Sequence, residues 1–276
     1  MAGPDGARLG REARLTMELQ LRGLKALITG GSRGIGLAVA RSLATEGCSI
    51  ALVGRDAESL GRSAAALSAE TGAEVRTHAF DLSRPAEQRE LLNRAGEVDI
   101  LVNNAGAIPR GDLIAVEEAA WRAAWELKLF GYINLTREFY GRMKIRRSGV
   151  IINVIGVGGE RPTASYVAGS TANAALMAFT RALGGESVDN GVRVLGVNPG
   201  LVETDRMRDL LVRDAEIQLG DASRWRELTR SRPFGRAARP DEIADVVAFL
   251  ASARASYVSG TIVTVDGGST TRHLPL

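Results

Sequence analysis

Cysteine is nearly absent. Cys48 is the only one in 276 residues, which excludes an internal disulfide and a multi-cysteine metal site and fits a reducing cytoplasm. Histidine is almost as scarce, with His78 and His273 alone. A zinc site takes three or four Cys, His or carboxylate ligands at recognisable spacing, so no metal is expected. Lysine occurs only at Lys25, Lys128 and Lys144, within a combined Lys and Arg count of 35. Burial can tune a lysine into a proton-transfer group whereas an arginine stays charged, so each of the three is worth locating. No apolar run approaches the roughly 20 residues that cross a bilayer. A net charge of +3 without a basic run is too weak to argue for nucleic acid. Neither a membrane nor a nucleic acid is an expected partner.

What is present suits one large domain: 45% hydrophobic and 24% charged residues can bury a single core. The opening MAGPDGARLGREARLT is Gly- and Arg-rich and lacks the apolar stretch of a secretory signal. Residues 1–16 are therefore expected to be a disordered leader, with the domain over 17–276. Short Val-, Ile- and Leu-rich runs at Ala26 to Ile28, Ile50 to Val53, Ile100 to Val102, Val150 to Val154, Val192 to Val197 and Ile262 to Val265 read as strands buried on both faces. Glu74 to Asp81 adds an outer strand. Segments of helical spacing lie between them, at Asp56 to Thr71, Val116 to Met143, Tyr166 to Val188 and Asp241 to Ala251. This alternation predicts an α/β fold, a single doubly wound Rossmann-type domain with a seven-stranded parallel sheet and helices on both faces. The charged interval of about 201–240, which contains Trp225, interrupts the alternation and is the candidate substrate lid.

After the first strand comes Thr29-Gly30-Gly31-Ser32-Arg33-Gly34-Ile35-Gly36, followed at once by a helix from Leu37 to Leu43. Glycines let the backbone turn sharply and approach a pyrophosphate, and the helix N-terminus supplies N–H groups. This turn resembles the T-G-x-x-x-G-x-G signature of the short-chain dehydrogenase/reductase family. Asn103-Asn104-Ala105-Gly106, Asp81, Asn198-Pro199-Gly200, Arg239-Pro240-Asp241-Glu242-Ile243-Ala244 and Val265-Asp266-Gly267-Gly268 resemble the family's later motifs in order and spacing, over roughly Leu21 to Gly268.

The resemblance implies a nicotinamide dinucleotide contacted by Gly30, Ser32, Arg33, Gly34, Ile35, Gly36, Arg55, Asp81, Leu82, Asn104, Ala105, Gly106, Asn173, Pro199, Gly200, Val202 and Thr204. Gly54 stands where an NAD-preferring relative has an acid. Arg33 and Arg55 can flank a 2′-phosphate, so NADP(H) is expected over NAD(H). The alternative makes both arginines solvated surface and gives Asp56 to a ribose hydroxyl.

The family's catalytic residues are a Ser, a Tyr, a Lys four residues on, and an Asn. Ile151-Ile152-Asn153-Val154-Ile155-Gly156 resembles the fifth strand and places Gly156 at the Ser position. Asn173-Ala174-Ala175-Leu176 resembles the K-A-A-L run, placing Asn173 at the Lys position and Gly169 at the Tyr position. Glu126-Leu127-Lys128-Leu129-Phe130-Gly131 puts Lys128 where the family has Asn. Lys128 is expected to reach toward the space left at Asn173 as the cation or acid of a rearranged site; a lysine snorkelling to solvent is the plain alternative. Tyr166, Ser170 and Asn173 are the other candidate catalytic residues, with Glu160, Arg161 and Thr163 in the preceding loop. Packing under the lid is the plain role for Tyr166.

The expected function is an NADP(H)-dependent oxidoreductase acting on a carbonyl or alcohol through a non-standard active site. A non-redox lyase or isomerase and a catalytically degenerate NADP(H)-binding subunit stand beside it, since fold alone does not separate them. Met207, Leu210, Leu211 and Trp225 suggest a partly hydrophobic small-molecule substrate. The helices Val116 to Met143 and Tyr166 to Val188 resemble the family's subunit-pairing helices, which implies a homotetramer or homodimer. The tail Thr270 to Leu276 is expected to be floppy.

Overall fold

A computed structural model describes residues 18–272; the expected leader and His273 with the end of the tail lie outside them. Seven strands form one parallel sheet: β1 Lys25–Thr29, β2 Ser49–Gly54, β3 Val75–Ala79, β4 Ile100–Asn103, β5 Gly149–Val154, β6 Val192–Pro199 and β7 Ile262–Val265. Their spatial order is β3-β2-β1-β4-β5-β6-β7. The order reverses between β1 and β4, which opens a crevice beyond the strand C-termini, the place where such sheets bind ligands.

Eight α-helices cover the sheet: α1 Gly34–Thr45, α2 Ala57–Thr71, α3 Pro85–Ala95, α4 Glu118–Trp125, α5 Gly131–Arg146, α6 Val167–Glu186, α7 Asp205–Leu219 and α8 Pro240–Ala251. Local chemistry sets their ends. Asp56 caps α2 by accepting from Ser59 N at 3.0 Å, and left-handed Gly72 closes it. Pro85 opens α3, and Thr204 caps α7 by accepting from Met207 N at 3.3 Å. One apolar layer joins the sheet to α1, α2 and α8 through residues such as Val39, Leu43, Leu60, Leu67, Ile243 and Val247. The other joins it to α3 and α5 through Leu91, Leu92, Leu135, Phe139 and Met143.

The doubly wound sheet agrees with expectation, and three elements differ. The outer strand is shorter, Val75–Ala79. The helix α3 falls in an interval to which no helix was assigned. The single helix expected over Val116 to Met143 is two helices joined by a five-residue π turn, Glu126–Phe130. Leu127, Lys128 and Leu129 are all drawn inward, to the crevice, to β5 and to the Leu129–Tyr132–Leu176 cluster respectively. An α-helix turns consecutive side chains by about 100° and would point at least one of the three outward, whereas the widened turn keeps all three inward.

The expected lid is clamped at its base by the Val202–Ala238 bridge, with Ala238 N donating to Leu201 O at 2.9 Å. It holds α7 and short 3-10 turns at Ala222–Thr229 and Pro233–Gly235. Leu211, Ala215 and Trp225 bury against one another, with Met207 packed on them. Of the apolar residues expected to favour a partly hydrophobic substrate, Leu211 and Trp225 are committed to this cluster, while Met207 and Leu210 keep part of their surface accessible. Arg226 stacks on Trp225, 4.3 Å from the ring centroid, and completes the cover.

Candidate active site

The first βα turn is shaped by close backbone approach. Gly30 has φ +66° and Gly34 φ +57°, values that favour glycine. A Cβ on Gly36 would stand 2.3 Å from Gly30 O, so α1 packs against the turn only because position 36 has no side chain. The residue before α1, Arg33, makes no side-chain cap, leaving first-turn N–H groups for a ligand.

The loop after β4 is stapled to this turn. Thr29 Oγ1 accepts from Asn104 N at 2.8 Å and from Ala105 N at 3.0 Å. Asn104 Nδ2 donates to Thr29 O at 2.9 Å and to Gly30 O at 3.3 Å. Deeper in the sheet, Asn103 Nδ2 donates to Asn153 Oδ1 at 2.9 Å, and Asn153 Nδ2 to Thr180 Oγ1 at 2.9 Å. This buried relay ties β4 and β5 to α6.

A crevice of about 530 Å³ opens here. Of the expected contacts it brings together Gly30, Ser32, Arg33, Gly34, Ile35, Arg55, Leu82, Asn104, Ala105, Gly106 and Thr204. Asp56 also lines it while its Oδ1 caps α2. Gly36 backs the turn. The Asp81 carboxylate turns to Ser83, accepting from its N at 3.0 Å and its Oγ at 2.7 Å; these bonds and the nearby Arg55 and Arg84 hold its pKa down against burial, the largest single influence. Val202 is buried in the lid clamp, and Pro199 and Gly200 lie at the end of β6 outside the lining. Sequence reasoning missed Ser59, Leu127, Asp205 and Arg206 on the wall. The Thr204-Asp205 helix start was the available signal for the last two. The cradle fits a phosphate-bearing dinucleotide: uncapped helix-start amides meet two guanidinium groups in one crevice.

At the end of β5, Gly156 has φ +132°, and a Cβ there would stand 3.2 Å from Asn173 Nδ2. Gly156 and Asn173 are thus brought together. Asn173 is buried, and its Oδ1 has no hydrogen-bond partner, a costly state unless a ligand or water supplies a donor. Ser170 Oγ accepts from Thr163 N at 3.3 Å and so fastens the loop before α6. Glu160 Oε1 accepts from Asn198 Nδ2 at 2.8 Å and Thr264 Oγ1 at 2.9 Å, bridging β6 and β7.

Lys128 does not reach Asn173, which corrects the expectation for it. Its Nζ donates to Ile155 O at 2.9 Å and Val154 O at 3.0 Å, with Tyr132 Oη at 3.4 Å. Tyr132 Oη itself donates to Val154 O at 3.0 Å. The π turn aims the stem past Gly106, where a Cβ would stand 2.5 Å from Lys128 Cδ. Those two carbonyls lie where β5 ends, within reach of the ammonium, and satisfy two of its three donors. The snorkelling alternative fails too: part of the stem is accessible, but the charged end is enclosed, and burial pushes its pKa down to about 8.

Tyr166 precedes α6, with φ −143°. Its ring folds back over the helix: a Cβ on Gly169 would stand 2.0 Å from Tyr166 Cζ and 2.2 Å from Cε1. A Cβ on Gly158 would also meet the ring, 3.4 Å from Tyr166 Cδ1. Two glycines therefore make a slot for one phenol ring. Burial raises the phenol pKa, and Arg206 and Arg110 oppose that rise.

A seven-stranded parallel sheet with a glycine cradle and an N-N-A-G loop at its switch point defines a Rossmann-type dinucleotide fold. The comparisons narrow the class. A family profile described as adh_short_C2, enoyl-(acyl carrier protein) reductase, matches residues 30–270. The chain is 36% identical over 255 residues to cis-4-hydroxycyclohexanecarboxylate dehydrogenase of Sinomonas cyclohexanicum, covering 89% of this chain and 96% of that protein. It is 35% identical over 257 residues to 3-oxoacyl-[acyl-carrier-protein] reductase FabG of Escherichia coli strain K12, covering 91% and 98%. Among solved structures, L-sorbose reductase from Gluconobacter frateurii complexed with NADPH and L-sorbose superposes with a TM-score of 0.86 at 32% identity, covering 93% of this chain and 100% of that one. The chain belongs to the short-chain dehydrogenase/reductase family and is an enzyme of that oxidoreductase class.

Proposed function

We propose that this enzyme is an NADP(H)-dependent oxidoreductase that interconverts a carbonyl and an alcohol through a non-standard site in which Tyr166 handles the proton. The observation that carries this reading is the Tyr166 ring seated across Gly169, the position to which the family resemblance assigns the catalytic tyrosine. The nicotinamide, when bound, supplies or accepts the hydride. The chain's own residues do the rest. Helix-start amides of α1 hold the pyrophosphate and Arg33 and Arg55 hold a 2′-phosphate; Asn173 lies outside the crevice lining, and its buried, unpartnered Oδ1 is an acceptor for a ribose hydroxyl only where the cofactor reaches it. Lys128 fixes the carbonyls at the end of β5 and is a positioning residue.

Burial raises the phenol pKa, and Arg206 and Arg110 oppose the rise. The phenol gives its proton to the developing alkoxide in reduction, and its phenolate takes one from the alcohol in oxidation. The test is NADPH oxidation with a panel of ketones beside a direct NADPH titration. Tyr166→Phe is expected to cut turnover by about 10²-fold or more and leave NADPH affinity unchanged; an unaffected turnover removes Tyr166 from the chemistry.

One observation favours a second reading, a cofactor-binding subunit without turnover: the Lys128 ammonium is committed to backbone carbonyls, so no lysine tunes the phenol. NADPH binding without oxidation by any ketone selects that reading. A homodimer or homotetramer in the reducing cytoplasm completes the proposal. Exposed Phe130, Ile145, Phe249 and Tyr257 support the assembly, and a single buried Cys48 whose thiol pKa burial pushes up to about 12 suits the compartment.

A further inference from the structure

Three segments build the mouth beyond Tyr166. The loop after β4 and the loop before α6 meet in the Gly111–Tyr166 bridge, with Gly111 N donating to Ser165 O at 2.9 Å, which sets Arg110 beside the tyrosine. From the lid, Arg206 in the first turn of α7 crosses to the same loop, its Nη2 donating to Ile108 O at 3.3 Å. Both arginines are exposed.

Neither has an ion-pair partner among the described residues. Several arginines of the same lid do: Arg208 and Arg226 pair with Glu203, Arg224 and Arg230 with Glu227, and Arg236 with Glu242, whereas Arg213 and Arg232, like Arg110 and Arg206, have none among the described residues. The nearest acid on the loop, Asp112, spends its Oδ1 on the amides of Ile114 and Ala115, at 2.9 and 2.8 Å. Both guanidinium charges pull the Tyr166 pKa down against the larger effect of burial. Two cations without ion-pair partners at one mouth concentrate anions there, and an oxyanion held by both relieves their repulsion.

We propose that Arg110 and Arg206 form an oxyanion-recognition pair, and that the substrate of this enzyme is a carbonyl compound carrying a carboxylate or phosphate held at that pair while its carbonyl faces Tyr166. The proposal rests on the reading of Tyr166 as proton donor. The dinucleotide's own phosphates are a second source of the same chemistry. Arg206 also lines the crevice, whereas Arg110 does not, so Arg110 discriminates between the two sources.

The experiment measures binding by calorimetry to the full chain saturated with NADPH. Probes come in matched pairs: acetoacetate against its methyl ester, and dihydroxyacetone phosphate against dihydroxyacetone. At least one anion is expected to bind tenfold or more tightly than its neutral partner. Arg110→Gln and Arg206→Gln should each weaken the anion about 10- to 100-fold and leave the neutral partner unchanged, with NADPH affinity unaltered in Arg110→Gln. Equal binding within both pairs overturns the proposal, as does an anion preference that survives both substitutions or an effect of Arg110→Gln confined to NADPH. The two readings fail separately. Turnover of a neutral ketone lost in Tyr166→Phe, with no anion preference, keeps the tyrosine and sinks the arginine pair; an Arg110-dependent anion preference without turnover does the reverse.

Discussion

Alanine at position 169 is the sharpest perturbation the site offers. In an exposed helix interior, Gly→Ala gains about 1 kcal/mol of stability through backbone entropy. Gly141 in α5 has nothing within 4 Å of an added Cβ and should show that gain, about 2–4 °C in Tm for a chain of this size. At Gly169 the same methyl would stand 2.0 Å from Tyr166 Cζ, against an ordinary contact of 3.4 Å. The ring must move by more than an ångström, and Gly158 already lies close to its Cδ1 edge. Overpacking of this kind costs about 1–3 kcal/mol, which cancels or reverses the helix gain. Gly169→Ala is therefore expected to leave the enzyme no more stable than wild type, and up to about 2 kcal/mol less stable. In a Tyr166→Ala background the clash is gone, and Gly169→Ala should stabilise by about 1 kcal/mol. Denaturant melts of the four proteins close a double-mutant cycle with a coupling of about 1–3 kcal/mol. Stabilisation by Gly169→Ala in wild type equal to that of Gly141→Ala would refute the slot, and with it the seat assigned to the phenol.

The Lys128 amine predicts an alkaline signature. Its folded pKa of about 8 lies below the ordinary 10.5, so between those values the unfolded chain binds more protons and stability rises with pH. Across that window wild type should gain up to about 3 kcal/mol relative to Lys128→Met, read from urea melts at stepped pH; a constant difference contradicts an enclosed charge. At the crevice, Arg33→Ala and Arg55→Ala should each weaken NADPH about tenfold or more and leave NADH within a factor of about two. Equal losses for both dinucleotides, measured by fluorescence titration, would detach the arginines from the 2′-phosphate.

The parts legible in sequence were those where backbone demands residue type directly. Ala26 to Ile28 and Val150 to Val154 read as strands because both faces of a central strand are largely apolar. The Thr29 to Gly36 turn was readable because close approach excludes a Cβ at Gly36. What escaped depends on partners without a sequence signature. Backbone carbonyls took the Lys128 ammonium, and a carbonyl looks alike in every residue. The π turn arises from three neighbouring side chains with separate targets, which periodicity over Val116 to Met143 averages away. Tyr166 was singled out, but its placement hinges on a rotamer and on the pairing of Gly158 with Gly169 across two elements. The apolar lid residues were visible, yet whether Trp225 faces substrate or its own helix is settled only by packing with Leu211 and Ala215.

The bonds that Thr29 Oγ1 and Asn104 make across the β1 and β4 ends join two segments some 75 residues apart in the chain. The pocket for the dinucleotide is thus finished when the domain finishes folding, and its entry surrenders little further freedom there. The flap of α7 and its 3-10 turns, by contrast, is joined at its base by the Val202–Ala238 bridge and carries its own apolar cluster. Selection for a new substrate can rework that flap while the far half of the cleft stays rigid.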